Sequence, residues 1–168
     1  MPYRAHFKHA DDIIAHLNVA MPTITDPILK IKYIGFVTVA AVTVYELAIK
    51  HVFIAFAKKK HKVLGNFTEK FFRRINGRIK YDVIYKDYIS KFGEKYQKRF
   101  TKNIDSVTRQ YLSIHRRDIK SAYSNLIIWR NDFAHEGKLN TTATYSEVVQ
   151  AYEDGKEVIH CLNAAMIR

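Results

Sequence analysis

In the first third of the chain the apolar positions run on instead of alternating. Residues 33–45 read Tyr-Ile-Gly-Phe-Val-Thr-Val-Ala-Ala-Val-Thr-Val-Tyr without a charge. On propensity alone the β-branched heart of that run fits a buried strand. Its continuation argues for a helix. Glu46 and Lys50 stand four apart, and Leu47, Ile49, Val52, Phe53 and Phe56 carry an apolar face onward with no turn residue before Gly65. Asp26 as N-cap and Pro27 in the first helical position mark the start, which predicts one long helix to about Lys60.

The rest of the pattern is helical too. A short helix is expected over residues 11–19, ended by Pro22, and further helical patterns cover residues 66–75 and 82–92, separated by Asn76-Gly77 and closed by Gly93. Another runs over residues 94–114, and the next over 116–136 ends at Gly137. After a polar loop at 138–142, Thr144-x-x-Glu147 forms a capping box for a last helix to about Met166. No internal repeat or low-complexity linker interrupts this. The expectation is an all-α fold: a single up-and-down bundle of about five or six helices, one domain over residues 1–168.

Composition narrows the class. An apolar fraction of 48% over 168 residues suffices for one sizeable core, which excludes a disordered tail. Cys161 is the one cysteine, so there is neither a disulfide framework nor a cysteine metal cluster, and a reducing, cytoplasmic setting fits. The N-terminus lacks the apolar stretch of a signal peptide, and the 13 uncharged residues of 33–45 fall short of the ~20 that span a bilayer, so no membrane association is expected.

Charge changes the picture more. Lys and Arg outnumber Asp and Glu by 28 to 16, and the surplus is concentrated. Residues 50–80 hold ten basic side chains, among them Lys58, Lys59, Lys60, Lys62, Arg73 and Arg74, against Glu69 alone. Residues 136–168 reverse the sign. A basic stripe with Phe67, Phe71 and Phe72 between its charges is what phosphate contact plus base stacking requires, although such a stripe also serves simply as a solvated face. Arg116 and Arg117 extend the set of candidate RNA contacts.

The candidate chemistry lies in Trp129-Arg130-Asn131-Asp132-Phe133-Ala134-His135-Glu136-Gly137. At about 100° per residue, Ile119, Tyr123, Leu126, Ile127, Phe133 and Ala134 all fall within roughly 60° of Arg130. A guanidinium at the centre of an apolar stripe must be paired, snorkel, or face a wet cleft. Asn131 and His135 share another face with Ser124, while Ile128 and Trp129 widen the apolar surface. Such a helix has two surfaces to bury, which points to a homodimer. An Arg followed four to six residues later by His is weak by itself, since Arg4–His9 and Arg109–His115 have similar spacings. Only Arg130–His135 adds an Asn directly after the Arg, a place near the end of an apolar helix and a terminating Gly.

That combination resembles the HEPN superfamily, helical ribonuclease domains of toxin and antiviral defence systems, whose signature is an Arg, a polar residue that is often Asn, then a His near the end of a late helix. Within it the layout is most similar to the RiboL-PSP-HEPN type group. One branch carries a Tyr two positions after the His as a target of a nucleotidyltransferase antitoxin; here Gly137 stands there, which argues against that regulation. The resemblance implies a metal-independent endoribonuclease without cofactor, working as a dimer on RNA, with a cognate antitoxin or regulatory protein as a further partner. Arg130, Asn131 and His135 would be its catalytic residues. Two copies of His135 across a two-fold axis would supply acid and base, and an Arg fork matches phosphate oxygens. Ideal geometry separates Arg130 and His135 by roughly 140°, so either the Arg curls round the helix or the last turn distorts. Glu46 either reaches this site and pairs with Arg130 or is an ordinary exposed partner of Lys50. The alternative is a non-catalytic module of the same type that dimerises and binds RNA or a protein. His6, His9 and His16 have spacings open to a metal, but no acidic or Cys partner completes a site.

Overall fold

The computed structural model describes residues 2–137 and 143–167; the loop expected at 138–142 lies outside the described residues. Seven α-helices and no strand occur among them. A 3-10 turn, Pro2–Phe7, leads into α1 (Lys8–Ala20), followed by α2 (Pro27–Lys60) and α3 (Lys62–Arg73). The brief α4 (Tyr81–Val83) continues through a π-helical turn, Ile84–Tyr88, and a 3-10 turn, Ile89–Phe92. Three long helices complete the chain: α5 (Glu94–His115), α6 (Ile119–Glu136) and α7 (Tyr145–Ile167). The count is slightly above the expected five or six, and each of the seven falls on one of the helical patterns read from the sequence.

The chain's punctuation behaves as its chemistry dictates. The Asp26 side chain accepts from the N–H of Ile28 at 2.8 Å and starts α2 with Pro27 in its first turn. Asp118 does the same for α6, accepting from Lys120 N–H at 2.7 Å, so this helix starts later than residue 116. In α7 the capping box closes both ways: Thr144 N–H donates to Glu147 Oε2 at 2.7 Å, and Glu147 N–H to Thr144 Oγ1 at 3.2 Å.

α2 is the axis of the bundle, packed by the 3-10 turn, α1, α3, α6 and α7. Val37, Ala41, Val44, Tyr45, Ala48, Ile49 and Phe53 are completely buried and together cover about half of its circumference. The β-branched run is therefore a core helix and not a strand: five neighbours cover its broad apolar face, while Phe36 and Leu47 on the remaining side stay exposed. By length and composition α2 also suffices to cross a bilayer, with mean hydropathy 1.7 over its most apolar window, but half of that window is buried inside the fold.

Tyrosines tie the layers together. Tyr45 of α2 stacks on Tyr123 of α6 at 5.4 Å and on Tyr152 of α7 at 5.7 Å. Each buried hydroxyl finds an acceptor: Tyr45 donates to Tyr152 C=O, Tyr123 to Ile79 C=O and Tyr152 to Asp11. Burial pushes the Tyr45 and Tyr123 hydroxyls well above their ordinary titration range, so both stay protonated donors.

Candidate active site

The site is built from α6 and the short segment between α3 and α4. Three consecutive residues of that segment are gripped by side chains from elsewhere. Tyr123 of α6 donates to Ile79 C=O at 2.5 Å, and Tyr88 to Arg78 C=O at 2.6 Å. Gly77 is held at both polar atoms. Its N–H donates to Glu46 Oε2 at 2.5 Å, and its carbonyl accepts from Arg130 Nη2 at 3.3 Å. Gly77 adopts φ +70°, a conformation that favours glycine, and a Cβ there would lie 3.0 Å from Arg130 Nη2, so the guanidinium would have to give by a few tenths of an ångström.

This resolves the position of Glu46. The carboxylate pairs with Lys50 at 2.7 Å, both side chains less than a fifth exposed, and its other oxygen holds Gly77. It does reach the neighbourhood of Arg130, but through the Gly77 peptide and without a direct ion pair. Glu46 does partner Lys50 as one reading expected, but the pair is mostly buried and not exposed.

Arg130 lies on the α6 face whose positions Ile119, Tyr123, Leu126 and Ile127 are buried, as the stripe geometry required. It escapes bare burial by reaching the Gly77 carbonyl while partly exposed. One guanidinium nitrogen is engaged there; with no ion pair to Arg130 among the described residues, further N–H donors are available for phosphate oxygens. His135 sits in the last turn of α6, exposed, with no hydrogen-bond partner among the described residues. Asn131 is partly exposed and likewise unpartnered among them.

The helix stays regular to Glu136 and stops at Gly137, φ +67°, whose N–H returns to Phe133 C=O at 2.9 Å. Neither a distorted last turn nor a curled arginine brings Arg130 to His135 within one chain. Arg130 is drawn instead toward Gly77. The Phe133 ring packs directly on Gly35 of α2, where any Cβ would overlap it, and this close approach fixes the end of α6 against α2.

The outward face of α6 carries His135, Asn131 and Ile128, within roughly 60° of one another by helical geometry, and Ile128 is 52% exposed. Trp129, by contrast, packs against the protein's own core. On the α2 face that Phe133 covers at Gly35, Ile31 and Ile28 continue toward the N-terminus and are exposed.

The predicted RNA contacts divide. Lys59, Lys60, Lys62, Arg74 and Arg116 are exposed. Lys58 and Arg73 are exposed as well but converge on Glu69 at 2.8 and 2.9 Å; their hydrogen bonds, that of Lys58 above all, hold the Glu69 carboxyl below its ordinary range. Arg117 is engaged within the chain. Its guanidinium grips Asp154 of α7 through two hydrogen bonds, Nε at 2.6 Å and Nη2 at 3.3 Å. The Asp154 side chain is 3% exposed, so this 40%-exposed cation answers a buried carboxylate and ties the turn between α5 and α6 to α7. His6 is bonded to His51 at 3.1 Å, and no group of three metal-ligating side chains occurs among the described residues.

Sequence reasoning passed over Gly77, reading Asn76-Gly77 only as a turn. Its role is carried by backbone atoms, which no residue pattern advertises. The Gly35–Phe133 contact was equally invisible, although a lone glycine inside a strongly apolar helix was a usable signal of close packing.

Compared with known proteins, residues 5–167 match the model of the RiboL-PSP-HEPN family. No curated protein and no solved structure matches the chain.

Proposed function

Because the chain belongs to the RiboL-PSP-HEPN family, whose model spans it almost end to end, we propose that it is a metal-independent endoribonuclease whose cleavage site is completed by a second copy of itself. One observation carries this reading: Arg130 is braced and partly exposed while His135, little more than one turn later, projects from an open face and finds no partner in its own chain. In an in-line displacement the attacking and leaving oxygens lie on opposite sides of the phosphorus, so one imidazole is poorly placed to serve both as base and as acid. Two copies facing each other across a two-fold axis supply both.

The reaction follows from those groups. One imidazole takes the proton of a ribose 2′-hydroxyl, and the oxygen attacks the adjacent phosphorus. The phosphorus–O5′ bond breaks, leaving a 2′,3′-cyclic phosphate, and the second imidazole protonates the departing 5′-oxygen. Arg130 stabilises the charge on the phosphorane oxygens, with one nitrogen already fixed by Gly77 so that little ordering is left for the moment of reaction. Asn131, one turn before His135, contacts the phosphate or fixes the imidazole tautomer. The exposed Ile128 beside His135, with Ile31 and Ile28 at the adjoining end of α2, supplies apolar surface for self-association. Lys59, Lys60, Lys62, Arg74 and Arg116 provide phosphate attraction for single-stranded RNA, whose bases are accessible. Action in the cytoplasm as a toxin or antiviral effector, held in check by a partner protein, is the setting this reading implies.

The test is incubation of RNA with the purified protein in EDTA. Cleavage to cyclic-phosphate ends that disappears for His135→Ala and Arg130→Ala supports the assignment; RNA left intact by a folded, dimeric wild type refutes it. A second reading draws on the Arg130–Gly77 bond, which is also a structural tie: the chain would then be an RNA-binding dimer without catalysis. In that case Arg130→Ala lowers stability, and no variant changes RNA integrity.

A further inference from the structure

Away from Arg130 and His135, the C-terminal end of α2, α3, the turns after α4 and the start of α5 enclose an open cavity of about 420 Å³. Its walls are aromatic. Phe72 and Phe92 stack on either side of the buried Phe53, at 4.9 and 5.3 Å, and Phe56 meets both Phe92 and Tyr96 edge-on. Phe67, on the α3 side, is 68% exposed. So large an aromatic surface left open beside a complete core is not needed for folding.

Three polar features make the cavity more than an apolar dent. Lys60 and Lys91 stand at its rim, their ammonium groups 5.5 and 5.3 Å from the centres of the Phe56 and Phe71 rings, and no acidic side chain lines it. Lys91 also donates to the Asp87 carbonyl, which steadies it. The third is Thr68. It is 3% exposed and lines the cavity, yet its hydroxyl has no hydrogen bond to any described residue. A ligand suited to all three is planar, offers a hydrogen-bonding edge and carries negative charge beyond that edge.

We propose that this cavity takes one extruded base of an RNA strand, stacked on its phenylalanine walls with the base edge at Thr68 and the flanking phosphates at Lys60 and Lys91. Stacking supplies affinity that tolerates any base, and the single hydroxyl adds preference. The volume lies within the range that holds small ligands. The cavity also lies close enough to the cleavage site for one strand to serve both: Phe72 and Gly77 are five residues apart, which limits their separation to about 18 Å. Exposed Arg73 and Arg74 lie between them, and exposed Arg78 directly follows Gly77. The proposal rests on RNA being the substrate, though not on the cut itself.

Binding of a fluorescently labelled, unstructured oligoribonucleotide tests it, with His135→Ala as background so that the RNA stays whole. Phe67→Ala removes a mostly exposed ring and leaves the core intact; it is expected to weaken binding roughly tenfold. Lys60→Ala with Lys91→Ala weakens it further and flattens the salt dependence. Thr68→Val keeps the shape and abolishes any preference among homopolymers. Photo-cross-linking of thio-substituted RNA lands on α3. If Phe67→Ala and the lysine pair bind RNA as the background protein does, the proposal is overturned, the more so if Phe67→Ala instead alters self-association, which would make the cavity a protein seam. The outcomes separate cleanly. A wild type that cuts while Phe67→Ala binds normally sinks the base pocket alone; one that never cuts while Phe67→Ala binds weakly sinks the nuclease alone.

Discussion

Replacing Glu46 by glutamine tests the brace behind Arg130. The carboxylate serves two donors, Gly77 N–H at 2.5 Å and the Lys50 ammonium at 2.7 Å, from side chains less than a fifth exposed. An amide of the same shape keeps one acceptor oxygen and turns an NH2 toward the other donor. One donor is then left unsatisfied near the protein interior, which costs about 1–3 kcal/mol. At a central value near 2 kcal/mol, a chain of this size should lose roughly 4–8 °C in melting temperature. The Gly77 carbonyl then no longer has a fixed position from which to hold Arg130 Nη2, and a loss of about 1.4 kcal/mol in transition-state stabilisation slows cleavage roughly tenfold. Cleavage is measured well below the melting temperature and at fixed protein concentration. A double-mutant cycle supplies the decisive comparison: in an Arg130→Ala background, Glu46→Gln should still lower the melting temperature but change cleavage little further. Full cleavage by the folded Glu46→Gln protein, or an equal loss with and without Arg130, refutes the argument that Glu46 acts through Gly77 on Arg130.

Gly77→Ala places a methyl group 3.0 Å from Arg130 Nη2 at φ +70°, so it should cost about 1 kcal/mol or more and depress cleavage; an unchanged cleavage rate would show that the guanidinium does not need this seat. Arg116, at φ +57°, is the one non-glycine residue in the left-handed region among those described, and it caps α5. Arg116→Gly should therefore raise stability by about 1 kcal/mol in urea unfolding, and a loss instead would count against strain at this cap. Burial, with the charges of Arg4 and Lys156 nearby, pushes the His160 imidazole down to about 4, where it is bonded to the Tyr3 hydroxyl. As the pH falls below the ordinary imidazole value of about 6.5, the unfolded chain takes up a proton that the folded one refuses. The contribution is thus complete above that pH and is lost between it and about 4, by up to roughly 3 kcal/mol. His160→Gln should flatten this part of the melting-temperature profile, and an unaltered slope would rule His160 out as its source.

The helix plan could be read from the chain because its determinants are local. Asp26 with Pro27, the Thr144–Glu147 box and Gly137 act within a few residues of where they stand, and the structure uses each as predicted. The place of Arg130 on an apolar stripe followed from helical periodicity alone, and with Asn131, His135 and Gly137 it was enough to indicate the family. What the side chains of that motif do was decided only by tertiary contacts. That Arg130 turns to the Gly77 carbonyl, that Glu46 touches it through a peptide bond, and that Arg117 is spent on Asp154 depend on residues 31 to 53 positions apart in sequence meeting in space. Periodicity fixes the direction in which a side chain leaves its helix. The hydrogen-bonding group it meets belongs to another segment, often to a backbone atom common to every residue type, and only packing brings the two together.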